Sequence, residues 1–185
     1  MRSGQIISGG VVSTRLARLE ELAALGELMD AAIARLQADF LTEAQIAASR
    51  TFMGLDQQLV RDGTYWVAEI AGELAGCGGW SKRATLYGGD HSTALRQPRL
   101  LDPATEPARI RAMYTDPRFA RLGVGRAVLQ ACEAAAKAAG FGRTELMATL
   151  SGEPLYRASG YAVIEEISDT SGGEPVPLKR MGKSL

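Results

Sequence analysis

RIRAMYTDPRFARLGVGR, residues 109–126, is the stretch on which the reading of this chain turns. Arg109 to Thr115 has the character of a strand, and Asp116-Pro117 ends it, because proline lacks the ladder donor and fixes φ. A short basic turn follows, and Gly123-Val124-Gly125 then opens a long helix. A strand that delivers glycines to a helix N-terminus makes a seat for an anionic phosphate. The first N–H groups there have no intrahelical partners, and the helix dipole favours negative charge. Glycine lets the backbone approach a ligand with no Cβ between them. Arg118, Arg121 and Arg126 add positive charge around the seat. A bare Gly-x-Gly before a helix is also an ordinary turn, so its neighbours must decide.

Working outward, the helix predicted from Gly123 to Ala139 sets Val124, Val128, Ala131, Ala135 and Ala138 on one side. Arg126, Gln130, Glu133 and Lys137 fall on the other, and Gly140 stops it. Arg143 to Leu150 alternates Leu146, Ala148 and Leu150 with Glu145, Met147 and Thr149, a strand pattern. Gly152 to Ser159 reads as a short helix, and Tyr161 to Glu166 and Val176 to Met181 as closing strands around Gly172-Gly173. In the strand 109–115, Ile110, Ala112 and Tyr114 are expected on one face.

Upstream, Val11 to Leu16 reads as a first strand. Leu22, Leu25, Met29, Ala32, Ile33 and Leu36 mark a helix over 19–36. Thr42, with Gln45 three positions on, caps a second helix to about Phe52, and Asp56 to Arg61 forms a third. Thr64–Ala71 and Glu73–Ser81 make a hairpin whose Gly76, Gly78 and Gly79 suggest a bulge or a close approach. Residues 82–108, with Pro98, Pro103 and Pro107, are expected as a long loop, and the first ten residues, MRSGQIISGG, as flexible. The whole is a single α/β domain over 11–185.

With 185 residues, 46% hydrophobic and 23% charged, the chain has the make-up of a soluble globular domain. A formal net charge of zero argues against a nucleic-acid surface. No apolar run approaches the ~18 residues a membrane span needs, and no signal-like segment follows Met1. Cys77 and Cys132 have no metal spacing and read as buried reduced thiols. With one histidine and no acidic cluster at ligand spacing, no metal is expected. Together these point to a cytoplasmic protein.

The order of elements, the strand–Pro–RxGxG–helix unit and Leu155-Tyr156-Arg157-Ala158-Ser159-Gly160-Tyr161 together resemble the GNAT (GCN5-related) N-acetyltransferases. The resemblance spans roughly Val11 to Met181 and is most specific over 110–161. It implies a mixed, mostly antiparallel twisted sheet of six to seven strands with about four helices. The sheet would splay between its fourth and fifth strands, here 109–115 and 143–150, to admit the pantetheine arm of acetyl-CoA. By the same resemblance the pyrophosphate loop is Arg121, Leu122, Gly123, Val124, Gly125 and Arg126. Met113, Tyr114 and Thr115 would pair with the pantetheine amides as an added strand does. Ala120 stands where the family usually has Arg or Gln, and Arg121 follows it with a charge.

Acetyl transfer to an amine needs a deprotonated amine, a stabilised oxyanion and a protonated leaving thiolate. The resemblance gives the acid role to Tyr156, in the motif Tyr156-x-x-x-Gly160-Tyr161, and the oxyanion contact to a backbone N–H near Tyr114 or Thr115. Glu145 is the candidate general base, on the strand where some members carry a glutamate. Glu69, His91 and a water relay stay open beside it. The acceptor, a small-molecule or peptide amine, should be chosen by residues in 37–62 and 82–108. Asp39, Glu43, Asp56, Asp62, Arg83, Arg96 and Arg99 there have no single sign. Homodimers are common in the family. The alternative to an enzyme is a non-catalytic module of the same fold that binds an acyl-CoA as a sensor.

Overall fold

One parallel strand pair in an otherwise antiparallel sheet sets the architecture. The computed structural model describes residues 3–7 and 10–185. Its strands are β1 (Ser3–Ile7), β2 (Gly10–Leu16), β3 (Tyr65–Ile70), β4 (Glu73–Ser81), β5 (Ala108–Thr115), β6 (Arg143–Thr149), β7 (Ala162–Asp169) and β8 (Val176–Ser184). The helices are α1 (Leu22–Leu36), α2 (Glu43–Ser49), α3 (Gln57–Arg61), α4 (Val124–Ala138) and α5 (Glu153–Ala158). The strands form an eight-stranded sheet in the order β1-β2-β3-β4-β5-β6-β8-β7, one more strand than expected. The addition is β1, which pairs antiparallel with β2 inside the segment read as flexible; positions 1, 2, 8 and 9 lie outside the described residues.

Among the described residues only β5 and β6 run parallel, joined by α4 as parallel strands require. Their pairing covers Ala108–Ile110 against Thr144–Leu146 and stops there, although β5 continues to Thr115 and β6 to Thr149. The two strand ends therefore diverge, as the family resemblance implied.

A large apolar cluster gathers Val124, Val128, Cys132 and Ala136 of α4 with Ile110, Leu146 and Ala148 of the sheet. A second packs Leu25, Met29 and Ile33 of α1 against Val67, Cys77 and Tyr114. A third, small one sets Ala48 and Phe52 against Val176 and Leu178. The buried face of α4 is thus centred on Val128, Cys132 and Ala136, with Ala138 exposed. Alanine-rich sequence gave that face little contrast to read. The close approach expected at the β4 glycines comes from several sides: a Cβ on Gly76 would run into Val124 of α4, one on Gly78 into Met113 of β5 and Val128 of α4, and one on Gly79 into Tyr65 of β3. Both cysteines are buried and unpaired.

The alternation predicted for β5 fails at Ala112. Its φ is +51°, and β4 pairs Cys77 with Tyr114 but Gly79 with Arg111, so Ala112 and Met113 together oppose Gly78. This is a β-bulge, and it reverses the facing of the residues beyond it. Ile110 packs into the α4-side core and Tyr114 into the α1-side core.

Candidate active site

The divergence of β5 and β6 opens a cleft of about 1130 Å³. Met113, Tyr114 and Thr115 line it from β5, Met147 and Thr149 from β6, and Ser151 to Gly152 and Pro154 to Tyr156 from the turn into α5 and α5 itself. Ala120 to Arg126 close one end. Because Tyr114 belongs to the α1-side core and Tyr156 to the α4-side core, the cleft reaches both faces of the sheet.

At the end formed by α4, the chain enters the helix through two left-handed residues, Arg121 (φ +68°) and Gly123 (φ +79°). Arginine in that region costs about 1–2 kcal/mol, the kind of strain found where a loop serves a ligand. Gly123 is the N-cap, and no side chain caps the helix. The N–H groups of the first turn are therefore left for an anion. A Cβ on Gly125 would fall 2.9 Å from Leu155 Cδ2 and 3.6 Å from Thr115 Oγ1, so the missing side chain keeps the passage open. Arg121 and Arg126 are exposed here and make no ion pair among the described residues. Arg118 does not join them. Its guanidinium is held by Asp116 at 2.8 Å and by Glu73 at 3.2 Å, and it does not line the cleft.

Tyr156 is 7% exposed, with its ring edge-on to Tyr161 at 5.8 Å. Among the described residues no hydrogen bond engages its hydroxyl, and burial raises its pKa well above the usual phenol value. It stays protonated at neutral pH and has its proton free to give. Tyr114 and Tyr87 are the other phenols on the wall; the Tyr114 oxygen accepts the Gly54 N–H at 2.8 Å, and the Tyr87 hydroxyl donates to Asp169 at 2.8 Å.

None of the side chains considered as a base reaches the cleft. Glu145 lies on the face of β6 away from Leu146, where its Oε2 accepts from Arg109 and Arg180, each at 2.6 Å. Two guanidiniums engage it in an ion-pair cluster. Glu69 accepts from Arg15 at 2.6 Å, and His91 Nε2 bonds the Arg50 carbonyl at 2.7 Å; neither lines the cleft. The alternation that put Glu145 on the polar side was right about the strand, but that side carries an ion-pair cluster at this height.

Beyond the bulge the cleft is walled by Leu36, Gln37, Asp39 and Phe40 at the end of α1, by Phe52 to Gly54, and by Leu86 to Gly88. The loop 82–108 is held tightly. Arg83 pairs with Asp62 at 2.8 Å, the Tyr87 hydroxyl donates to Asp169 at 2.8 Å, and Ser92 Oγ donates to the Thr51 carbonyl at 2.8 Å. Arg111, also on the wall, is 5% exposed and was not singled out from the sequence. It contacts Asp56 at 2.7 Å and donates to the Gly88 carbonyl, tying the bulge to both segments that overhang it. Its partner lies 55 positions away, and no local pattern announces such a pair.

The model of the acetyltransferase (GNAT) family matches residues 27–161, which hold α1, the cleft strands and α5. The chain belongs to that family. Among solved structures, a GCN5-related N-acetyltransferase from Rhodopseudomonas palustris is similar, with TM-score 0.69 and 20% identity over 99% of this chain and 100% of that one. The PaiA N-acetyltransferase of Thermoplasma acidophilum, solved with coenzyme A, gives 0.61 and 15% over 94% and 99%. YncA of Salmonella typhimurium, a putative acetyltransferase solved with acetyl-CoA, gives 0.61 and 18% over 94% of each chain. At these identities the likeness is one of fold. No curated protein matches the chain. Among the described residues, no helix is long and apolar enough to cross a membrane.

Proposed function

We propose that the chain is an N-acetyltransferase that moves the acetyl group of acetyl-CoA to a primary amine by direct attack in a ternary complex. The observation that carries this is the gap between β5 and β6. An uncapped helix N-terminus stands at one end of it, and an unengaged, protonated Tyr156 stands on its wall.

The residues fit the cofactor. The first-turn N–H groups of α4, with Arg121 and Arg126 beside them, suit a pyrophosphate, and the absent side chain of Gly125 leaves room for it. The free edge of β5 at Met113 to Thr115 suits an amide-bearing arm. Acetyl-CoA supplies the activated acetyl group. The amine nitrogen bonds to the acetyl carbon, the carbon–sulfur bond breaks, and Tyr156 gives the departing sulfur its proton and recovers one from solvent. A backbone N–H at the bulge, near Tyr114, meets the charge that grows on the carbonyl oxygen. With Glu145, Glu69 and His91 engaged elsewhere, the amine loses its proton to water.

The test is release of free thiol from acetyl-CoA across a panel of amines, with CoA binding measured separately by calorimetry. Amine-dependent thiol release is the expected result. Saturable CoA binding without release for any amine would leave a binding module in place of an enzyme.

A further inference from the structure

Resting on the reading of the cleft as an acetyl-transfer site, we infer that its acceptor is an apolar primary amine whose only charge is the reacting ammonium. Polyamines, amino acids and peptides are thereby set aside. The wall past the bulge is mostly apolar: Leu36, Phe40, Phe52, Met53, Leu86 and Tyr87 line it, beside Gln37 and Asp39. Phe52 and Tyr87 meet edge-to-face at 5.8 Å, and the Tyr87 hydroxyl is spent on Asp169, so the ring is what the cleft receives. Phe40 is 48% exposed, a large aromatic surface on the cleft with no cover.

Charge makes the class narrower. Among the described residues lining the cleft, Asp39 is the only carboxylate. A polyamine would bring further ammonium groups past a wall that offers only the exposed Asp39 carboxylate to pair them, which is costly for every ammonium beyond one. An amino acid would bring a carboxylate. The nearest guanidinium, that of Arg111, has its two terminal nitrogens on Asp56 and the Gly88 carbonyl. Arg121 and Arg126 lie at the α4 end, beside the anion seat. A peptide would need a strand edge to pair with, and of the two edges that face the gap, β5 past Ile110 is taken by the cofactor arm on this reading and β6 past Leu146 lies across that same arm. An aryl- or alkylamine asks for none of these and covers the apolar wall.

The experiment is calorimetric binding of phenethylamine, ethylamine, spermidine, glutamate and an alanyl-alanine dipeptide to the protein saturated with CoA, where no turnover intervenes. Phenethylamine is expected to bind about tenfold or more tighter than ethylamine, the discrimination an apolar pocket gives, and tighter than the rest. Equal binding of the two simple amines, or tighter binding of spermidine, glutamate or the dipeptide, overturns the inference. Leu86→Asp, at a partly exposed position, should reverse the order of phenethylamine and 1,5-diaminopentane; an unchanged order also overturns it. Phenethylamine selectivity without thiol release would defeat the transfer reaction and leave the amine class standing. Should CoA itself fail to bind, the same amine series on the free protein decides the class alone.

Discussion

The phenol of Tyr65 on β3 donates a 2.7 Å hydrogen bond to the carbonyl of Ala112, the bulge residue of β5 with φ +51°. Tyr65 is 1% exposed, and burial keeps its pKa far above neutrality, so the donor is permanent. One strand thus holds another in a conformation that alanine disfavours by about 1–2 kcal/mol. Tyr65→Phe keeps the ring and removes the donor. We expect a stability loss of about 1 kcal/mol and a fall in kcat with little change in CoA affinity. Ala112→Gly accepts the same φ unaided, so the two substitutions should be non-additive, Tyr65→Phe costing less in the glycine background. Additive effects on kcat would dissociate Tyr65 from the bulge.

Tyr156→Phe should lower kcat by about 10²-fold or more, the usual worth of a positioned acid, while CoA binding stays nearly unchanged. Single-turnover rates and calorimetry separate the two. An unaltered chemical step would remove Tyr156 from the mechanism.

Gly125 separates space from charge. The Cβ of an alanine would press only on the mobile end of Leu155, so Gly125→Ala should weaken CoA binding modestly. Gly125→Glu adds bulk and a negative charge at the uncapped helix start and should abolish binding. Tight CoA binding by the glutamate variant would dislodge the anion seat from α4.

The pH dependence of kcat/KM should follow the acceptor. Without a side-chain base, the rate rises tenfold per pH unit up to the amine's own pKa, near 10.4 for an ordinary alkylammonium. Tyr156, its pKa raised by burial, imposes no descending limb below that. A plateau through neutral pH would reveal a base on the protein. Glu145→Gln should cost stability, because it removes the negative charge that Arg109 and Arg180 share, and should leave the shape of the profile intact.

Away from the cleft, the Arg15 hydrogen bond lowers the Glu21 carboxyl from 4.5 to about 2. A depressed carboxylate adds stability above its unfolded pKa and loses it as the pH falls through the folded one. Glu21→Gln should therefore destabilise by about 1 kcal/mol at pH 7 and flatten the decline in melting temperature between about pH 4.5 and pH 2.

Most elements lie within one or two residues of where periodicity and caps put them. Thr42 and Gln45 form the reciprocal cap that their spacing announced. The glycine-led, uncapped start of α4 was legible because helix starts are local. What escaped was made by distance. The bulge at Ala112 depends on Tyr65, 47 positions away, so Ile110 and Tyr114 could not be separated by alternation. Glu145 looked available because Arg180, 35 positions on, carries no local mark. The apolar wall of the cleft joins α1, Phe52 and Leu86 across three segments that only the fold brings together.

The short parallel pairing of β5 with β6 has a mechanical meaning. Three residue pairs, Ala108–Ile110 with Thr144–Leu146, are the ladder that joins strands β1–β5 to β6, β8 and β7. The sheet is two plates sharing a narrow seam, and anything that lies along the gap acts as the missing rungs. Occupancy by a ligand should then slow amide exchange on both sides of the seam at once and raise the melting temperature with ligand concentration. On the proposed function, the sheet is completed only while a cofactor arm lies in the gap.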